Sequence, residues 1–319
     1  MPIDDLKSAF LTKNNSLDIY FLWNKLKILC AYYNMQSVFK FSDYLHWQKD
    51  IEHYMTHKKN VYNIAIEIYW KIIIIRKDLN NLLTFNEILN DINTCEFEKL
   101  DYDEQKEITQ YVISLCIILI VRKNQTQLNL VLFDLYKLAL TKSYLTNHNN
   151  KITQRTFKNI IRSAINNNKM NWAFETIMNS KKYINIIDQK DAYNYNIGVY
   201  YYYKNDFSKA LKYFSKLPYD NLYYALDLRT FLVRIYFETE ETDLLISLID
   251  SFRAYLKRNK TFSKVLITSF RNFLNTVKRL NNISIRDKKK LKLLKIKIEN
   301  QNPVIEKKWL LNTLEKRIL

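Results

Sequence analysis

Apolar residues recur along this chain at intervals of three and four. In Phe10 to Asn34, the positions Ile19, Leu22, Leu26, Leu29 and Tyr33 fall on one stripe, the period of an α-helix with one buried face. Between such segments lie asparagine-rich clusters: Lys13-Asn14-Asn15, Asn80-Asn81, Asn147-His148-Asn149-Asn150 and Asn166-Asn167-Asn168. Asparagine is the residue other than glycine that best tolerates the left-handed conformation at a helix C-terminus. The clusters therefore predict helix ends. The longest uncharged stretch, Ile108 to Val121 between Glu107 and Arg122, is too short for a bilayer and predicts a buried core helix.

Composition narrows the choice further. The 319 residues include one glycine and three prolines, which excludes phosphate loops, dinucleotide-binding turns and nucleophile elbows, whose backbones need several glycines in succession. It also argues against β-sandwiches and α/β sheets. The pattern and the composition together predict an all-α protein with no cofactor.

The most informative segment is Asp191 to Tyr224, DAYNYNIGVYYYYKNDFSKALKYFSKLPYDNLYY. Gly198 and Ala210 are small where two antiparallel helices would cross closely, Tyr201 and Phe214 fill the space beside them, and Lys204-Asn205-Asp206 makes the turn. The segment resembles a tetratricopeptide repeat, a helix-turn-helix unit of about 34 residues. It lacks that family's first-helix tryptophan, and the closing proline is displaced to Pro218. Ile161, Ala164, Ala173 and Ile177 carry the same offsets around the loop Asn166 to Lys169, and Val233, Tyr236, Leu245 and Ile249 carry them around Glu238 to Thr242. Three successive hairpins are the minimum expected of a stable solenoid.

After Lys260 the register fails, and Phe262 to Asn281, Ile285 to Asn300 and Pro303 to Leu319 predict three longer helices, with Pro303 in a first helical turn. A solenoid needs such an atypical last element to cover its apolar end. The expected organisation is a helical region over 1–150, hairpins over 151–260, clearest from 153 to 260, and a basic helical cap over 261–319. The resemblance implies an α-α superhelix of right-handed sense.

Fifty basic and 32 acidic residues give a net charge of +18. Such an excess attracts polyanions, although an AT-rich coding sequence would also raise lysine together with the abundant asparagine, isoleucine and tyrosine. Cys30, Cys95 and Cys116 are odd in number and far apart, as expected of reduced thiols in a cytoplasmic protein. The first residues, MPIDDLKSAF, lack the basic and apolar regions of a secretory signal.

Four groups of residues invite chemistry. His46, Asp50, His53 and His57 share a helical face and could offer zinc a histidine pair. They lack the H-E-x-x-H order, and four groups on one helix cannot all reach one ion, so a solvated face is the preferred reading and no metal is expected. Arg286, Lys288, Lys289, Lys290, Lys292, Lys295 and Lys297 surround the stripe Leu291, Leu294 and Ile298, which predicts a basic amphipathic helix able to lie against phosphates, anionic lipid or an acidic partner. The preferred reading is a cap helix that packs through Leu291, Leu294 and Ile298 and keeps its charges in water, because charge runs are usually solvated faces.

Arg229, Arg234, Arg253 and Arg258, with Lys257, form the third group. In tetratricopeptide-type repeats the first helices line a concave groove where basic side chains can clamp a peptide carboxylate, which implies a contact role for Arg229 and a different direction for Arg234. The fourth is the run Tyr200 to Tyr203, whose members point in four directions and cannot present one stacking platform. Tyr201 is expected in the core, with Tyr200 and Tyr203 lining the groove.

These features favour a non-catalytic scaffold or adaptor that binds a protein or peptide partner on a concave surface, with no membrane span. The alternative is a nucleic-acid-associated protein using its basic surface. An enzyme finds no glycine loop, nucleophile motif or convincing metal set in the sequence.

Overall fold

The computed structural model describes residues 3–38, 45–57, 63–218, 224–260 and 262–319, with the side chains of the first helix described over 16–35. The chain is all-helical: among the described residues there is no strand, and Ile152 and Ile184 form an isolated parallel bridge. Two compact units divide after Gln189, so the first of the three hairpins belongs to the first unit and the other two to the second.

In the first unit the helices are α1 (Ile3–Val38), α2 (Gln48–His57), α3 (Ile64–Lys77), α4 (Leu82–Asp91), α5 (Cys95–Glu98), α6 (Tyr102–Lys123), α7 (Asn129–Thr141), α8 (Gln154–Asn166), α9 (Met170–Met178) and α10 (Ser180–Tyr183). Side chains of Asn63, Asn81, Thr94, Asp101 and Thr153 accept a hydrogen bond from the backbone N–H three residues on, which satisfies a donor that each helix start would otherwise leave orphaned. Leu22, Leu26 and Leu29 of α1 are buried with Ile66 and Ile73 of α3 and Ile108, Val112, Leu115 and Leu119 of α6. The uncharged stretch is thus a core helix, and no helix of the described residues is long and apolar enough to cross a membrane. Glu104, also buried, accepts from Trp23 Nε1 at 2.9 Å and from Lys27 Nζ at 3.1 Å, partners that a polar group removed from water requires.

One expected boundary is corrected here. Lys13-Asn14-Asn15 lies inside the continuous helix α1 and does not end a helix. Asparagine costs an established helix only a fraction of a kcal/mol, about 0.7 at most relative to alanine, and propagation through it is easier than renucleation. Asn81 caps the start of α4, while Asn150 and Asn168 take the left-handed conformation with φ of 53° and 59°.

The second unit contains α11 (Gln189–Tyr203, which starts one residue before it), α12 (Phe207–Phe214), α13 (Ala225–Glu238), α14 (Thr242–Arg258), α15 (Lys264–Asn282), α16 (Lys288–Asn300) and α17 (Lys307–Ile318). Val233, Leu245, Ile249, Phe252, Phe273, Val277, Leu291, Ile298, Leu310 and Leu314 belong to one buried cluster. The three C-terminal helices therefore share a core with the α13–α14 hairpin.

The helix pairs α8–α9, α11–α12 and α13–α14 are joined by the same turn. Asn168, Asn205 and Glu240 are left-handed at φ 59°, 58° and 59°. The next amides, of Lys169, Asp206 and Glu241, bond the carbonyls of Ala164, Tyr201 and Tyr236 five residues back, at 2.9, 3.0 and 2.9 Å. This is the Schellman closure of a helix C-terminus. Those acceptors are the second residues of the three sets of offsets read from the sequence. The amides of Ala173, Ala210 and Leu245, the third residues of those sets, then bond the carbonyls of Lys169, Asp206 and Glu241.

Gly198 explains the closeness of α11 and α12. A Cβ there would lie 2.5 Å from Cε1 and 2.6 Å from Cδ1 of Phe214, so the ring occupies the space a side chain would need. Ala210 and Phe214 are buried as expected. Tyr201 is a correction: it is half-buried and stacks on Tyr213 with ring centroids 5.7 Å apart, while Tyr202, 5% exposed, holds the core place.

Pro303 is a third correction. It does not open α17, which begins at Lys307 after Glu306, a residue at φ 52°. Tertiary contacts hold the preceding segment out of the helix: the Pro303 carbonyl accepts from Asn272 Nδ2 at 2.8 Å, and Val304 and Ile305 pack on the core cluster.

Candidate functional site

The second unit holds a cavity of about 540 Å³ lined by Tyr202, Tyr203, Phe207, Arg234, Glu238, Trp309, Lys316 and neighbouring polar residues. Four elements build it. The end of α11 and the start of α12 bring the aromatic rings, α13 brings Arg234 and Glu238 one turn apart, and α17 brings Trp309, Asn312, Thr313 and Lys316. The last four recur at i, i+3, i+4 and i+7, the spacing of one helical face.

Arg234 forms the floor. It is 5% exposed, its Nη1 donates to Glu306 Oε2 at 2.9 Å, and its guanidinium lies over Tyr202, Phe231 and Trp309 at 4.6, 5.4 and 5.4 Å from the ring centroids. A guanidinium suits such a place because it combines weak hydration with a planar face that stacks on rings. Its Nε has no hydrogen-bond partner. Beside it, Glu238 Oε1 accepts from Tyr202 Oη at 2.8 Å and from Trp309 Nε1 at 2.6 Å. Burial pushes the Tyr202 hydroxyl well above its ordinary range; Arg234 opposes that shift and Glu238 adds to it. The phenol is therefore a fixed donor.

The floor is thus organised by its own hydrogen bonds. The rim is different: Asn205, Asn312 and Lys316 are exposed and Tyr203, Phe207, Trp309 and Thr313 half-buried.

Of the residues proposed from sequence for partner contact, Tyr203 lines this cavity. Tyr200 is half-buried and packs edge-on against Tyr201 at 5.5 Å. Arg229 is 3% exposed; its Nη1 donates to the Ala225 carbonyl at 3.0 Å and its guanidinium lies 3.9 Å from the centroid of Tyr255. Its guanidinium is thus engaged within the unit. Arg234, expected to point elsewhere, is the arginine at the cavity. Glu238 and Trp309 were not anticipated, although the stripe from Trp309 to Lys316 was present in the sequence.

The basic run sorts into two groups. Lys290 pairs with Asp287 and Lys295 with Glu315, both at 2.8 Å, and Lys288 Nζ donates to the Arg317 carbonyl at 2.8 Å. Arg286, Lys289, Lys292 and Lys297 are exposed, while Leu291, Leu294 and Ile298 are buried as the stripe predicts. Arg253 bonds Asp250 and Asn275, and Lys257 and Arg258 are exposed.

In the first unit His46, Asp50, His53 and His57 are all exposed, and His53 and His57 stack with ring centroids 4.1 Å apart. His57 Nδ1 meets the His53 carbonyl at 2.8 Å. Among the described residues no three histidine, cysteine, aspartate or glutamate side chains gather where they could hold a metal ion. No protein-family model, curated protein or solved structure matches this chain.

Proposed function

We propose that this chain is a non-catalytic, tetratricopeptide-like scaffold or adaptor, and that the cavity of the second unit receives a side chain of a protein or peptide partner. The observation that carries this reading is the floor of Arg234, Glu238, Tyr202 and Trp309, fixed by its own bonds before any ligand arrives. A cavity of about 540 Å³ is within the range of small binding pockets. A pre-organised wall spares the partner the entropy of ordering it. Aromatic edges favour an apolar or aromatic residue at the centre, and Lys316 favours an acidic neighbour at the rim. The array reading draws on the turn shared by the three helix pairs and on the C-terminal helices that cover the last of them.

Asn312 and Lys316 are exposed, so Asn312→Trp fills the opening from the rim and leaves the core untouched. The test is an affinity pull-down from native lysate with mass spectrometry, at two salt concentrations, with and without nuclease. A discrete protein that survives nuclease and salt and is lost with Asn312→Trp is the expected result. The same protein held equally by the variant would refute the cavity as the site. Loss of every partner under nuclease would favour the nucleic-acid alternative.

A further inference from the structure

The side of α16 turned away from the core carries Lys289, Leu293, Ile296 and Asn300 at i, i+4, i+7 and i+11, one line along the helix. Leu293 is 59% and Ile296 55% exposed, whereas Leu291, Leu294 and Ile298 on the opposite side are buried. Lys292 and Lys297 flank the exposed pair on either side. Lys289, Lys292 and Lys297 are exposed and have no ion-pair partner among the described residues. The other three lysines of this helix are tied down, two by carboxylates and one by a carbonyl.

We propose that this face of α16 is a peripheral docking surface for an anionic phospholipid bilayer, with the helix lying in the plane of the interface. The charge of the free lysines complements anionic headgroups, and the two aliphatic side chains at the apex decide between polyanions. Nucleic acid rewards the lysines through counterion release but gives nothing for Leu293 and Ile296. A bilayer rewards both, because the aliphatic tips enter the acyl boundary while the lysine stems lie along it and their ammonium groups reach the headgroups. Each lysine near an anionic surface strengthens binding by about fivefold, so the three together contribute about a hundredfold.

The test is co-sedimentation of the full chain with vesicles of phosphatidylcholine alone and of an equal mixture of phosphatidylcholine and phosphatidylserine, with a DNA duplex as the competing polyanion. The variants are K289Q/K292Q/K297Q and L293S/I296S, all at exposed positions, with circular dichroism to confirm folding. Binding to the mixed vesicles alone is expected. The lysine variant should lose about a hundredfold in affinity, and the serine variant about tenfold or more. The proposal is overturned by absence of binding to the mixed vesicles or by equal binding to both kinds. Vesicle binding unchanged in L293S/I296S also overturns it, and if duplex binding then falls in the lysine variant, the face reads nucleic acid.

Discussion

Replacing Gly198 by alanine sets two effects of opposite sign against each other. In a solvent-exposed helix the change gains about 1 kcal/mol, because glycine leaves the backbone too free. In α11 the new Cβ meets Phe214 at 2.5 Å, where carbon atoms prefer about 3.5–4.0 Å. The ring must retreat by about 1 Å, yet Phe214 is 2% exposed, with Phe231 stacked at 5.6 Å and Tyr195 tilted at 6.4 Å. Overpacking of this kind costs about 1–3 kcal/mol, and the tightness of the contact places it in the upper part of that range. The net expectation is a loss of about 1–2 kcal/mol.

The cause can be isolated by a double-mutant cycle. Phe214→Leu removes the ring atoms and costs about 1–2 kcal/mol alone, but it opens the space that the Cβ needs. In that background Gly198→Ala should be neutral or stabilising, a coupling of about 2 kcal/mol. Urea denaturation followed by circular dichroism gives the four stabilities, and hydrogen exchange of the α11 and α12 amides places the effect in this hairpin. Stabilisation by Gly198→Ala alone, or additivity within about 0.5 kcal/mol, would show that the two helices do not approach as described.

Two further outcomes follow from the turns and from the buried thiol. Glu240 bears a side chain in the left-handed region, so Glu240→Gly should raise stability in urea by about 0.5–1 kcal/mol; Asn205→Gly should change it by less, since asparagine tolerates that conformation, and the reverse order would contradict the shared turn. In the first unit, burial pushes the Cys116 thiol and the Tyr136 hydroxyl each up to about 12, with neighbouring Cys116 adding to the Tyr136 shift and the Asn159 hydrogen bond opposing it. Both native values are raised, so the stability they confer is complete below the ordinary values near 9 and 10 and is lost as pH rises toward about 12. Urea midpoints measured across that interval should fall, and Cys116→Ala should flatten the slope by up to about 1.4 kcal/mol per pH unit; an unchanged slope would mean that the thiol does not titrate differently on unfolding.

Local geometry was legible in the sequence where one residue type has one physical use. The crossing of α11 and α12 demands a small residue, and Gly198 and Ala210 stand there. The left-handed turn demands a tolerant residue at a fixed distance from the last core position, and Asn168 and Asn205 satisfy it. The stripe Leu291, Leu294 and Ile298 gave the buried face of α16 directly. The cavity was not legible for a different reason. Arg229 and Arg234 lie five positions apart on α13 and so point in different directions, but which one meets aromatic rings depends on α17. The pairing of Arg234 with Glu306 spans 72 positions, and it relies on a segment that Pro303 made look like a helix start.

That outcome bears on how a net charge of +18 should be read. Arg229 looks in sequence like a group offered to a partner, yet the fold engages it, and Arg234 with it, through its own aromatic rings and carbonyl or carboxylate acceptors. Lys27 and Lys71 are spent in the same way, on Glu104 and Glu107 and on Glu87 and Asp91. A cation is available to a polyanion only when the fold leaves it both exposed and unneutralised, and summing residues cannot distinguish that state from the other. Lys289, Lys292 and Lys297 meet the condition together on one helix, around two exposed aliphatic side chains. Association driven by charge should therefore respond to those three positions far more than to the arginines of α13, whose replacement would instead be felt as a loss of stability.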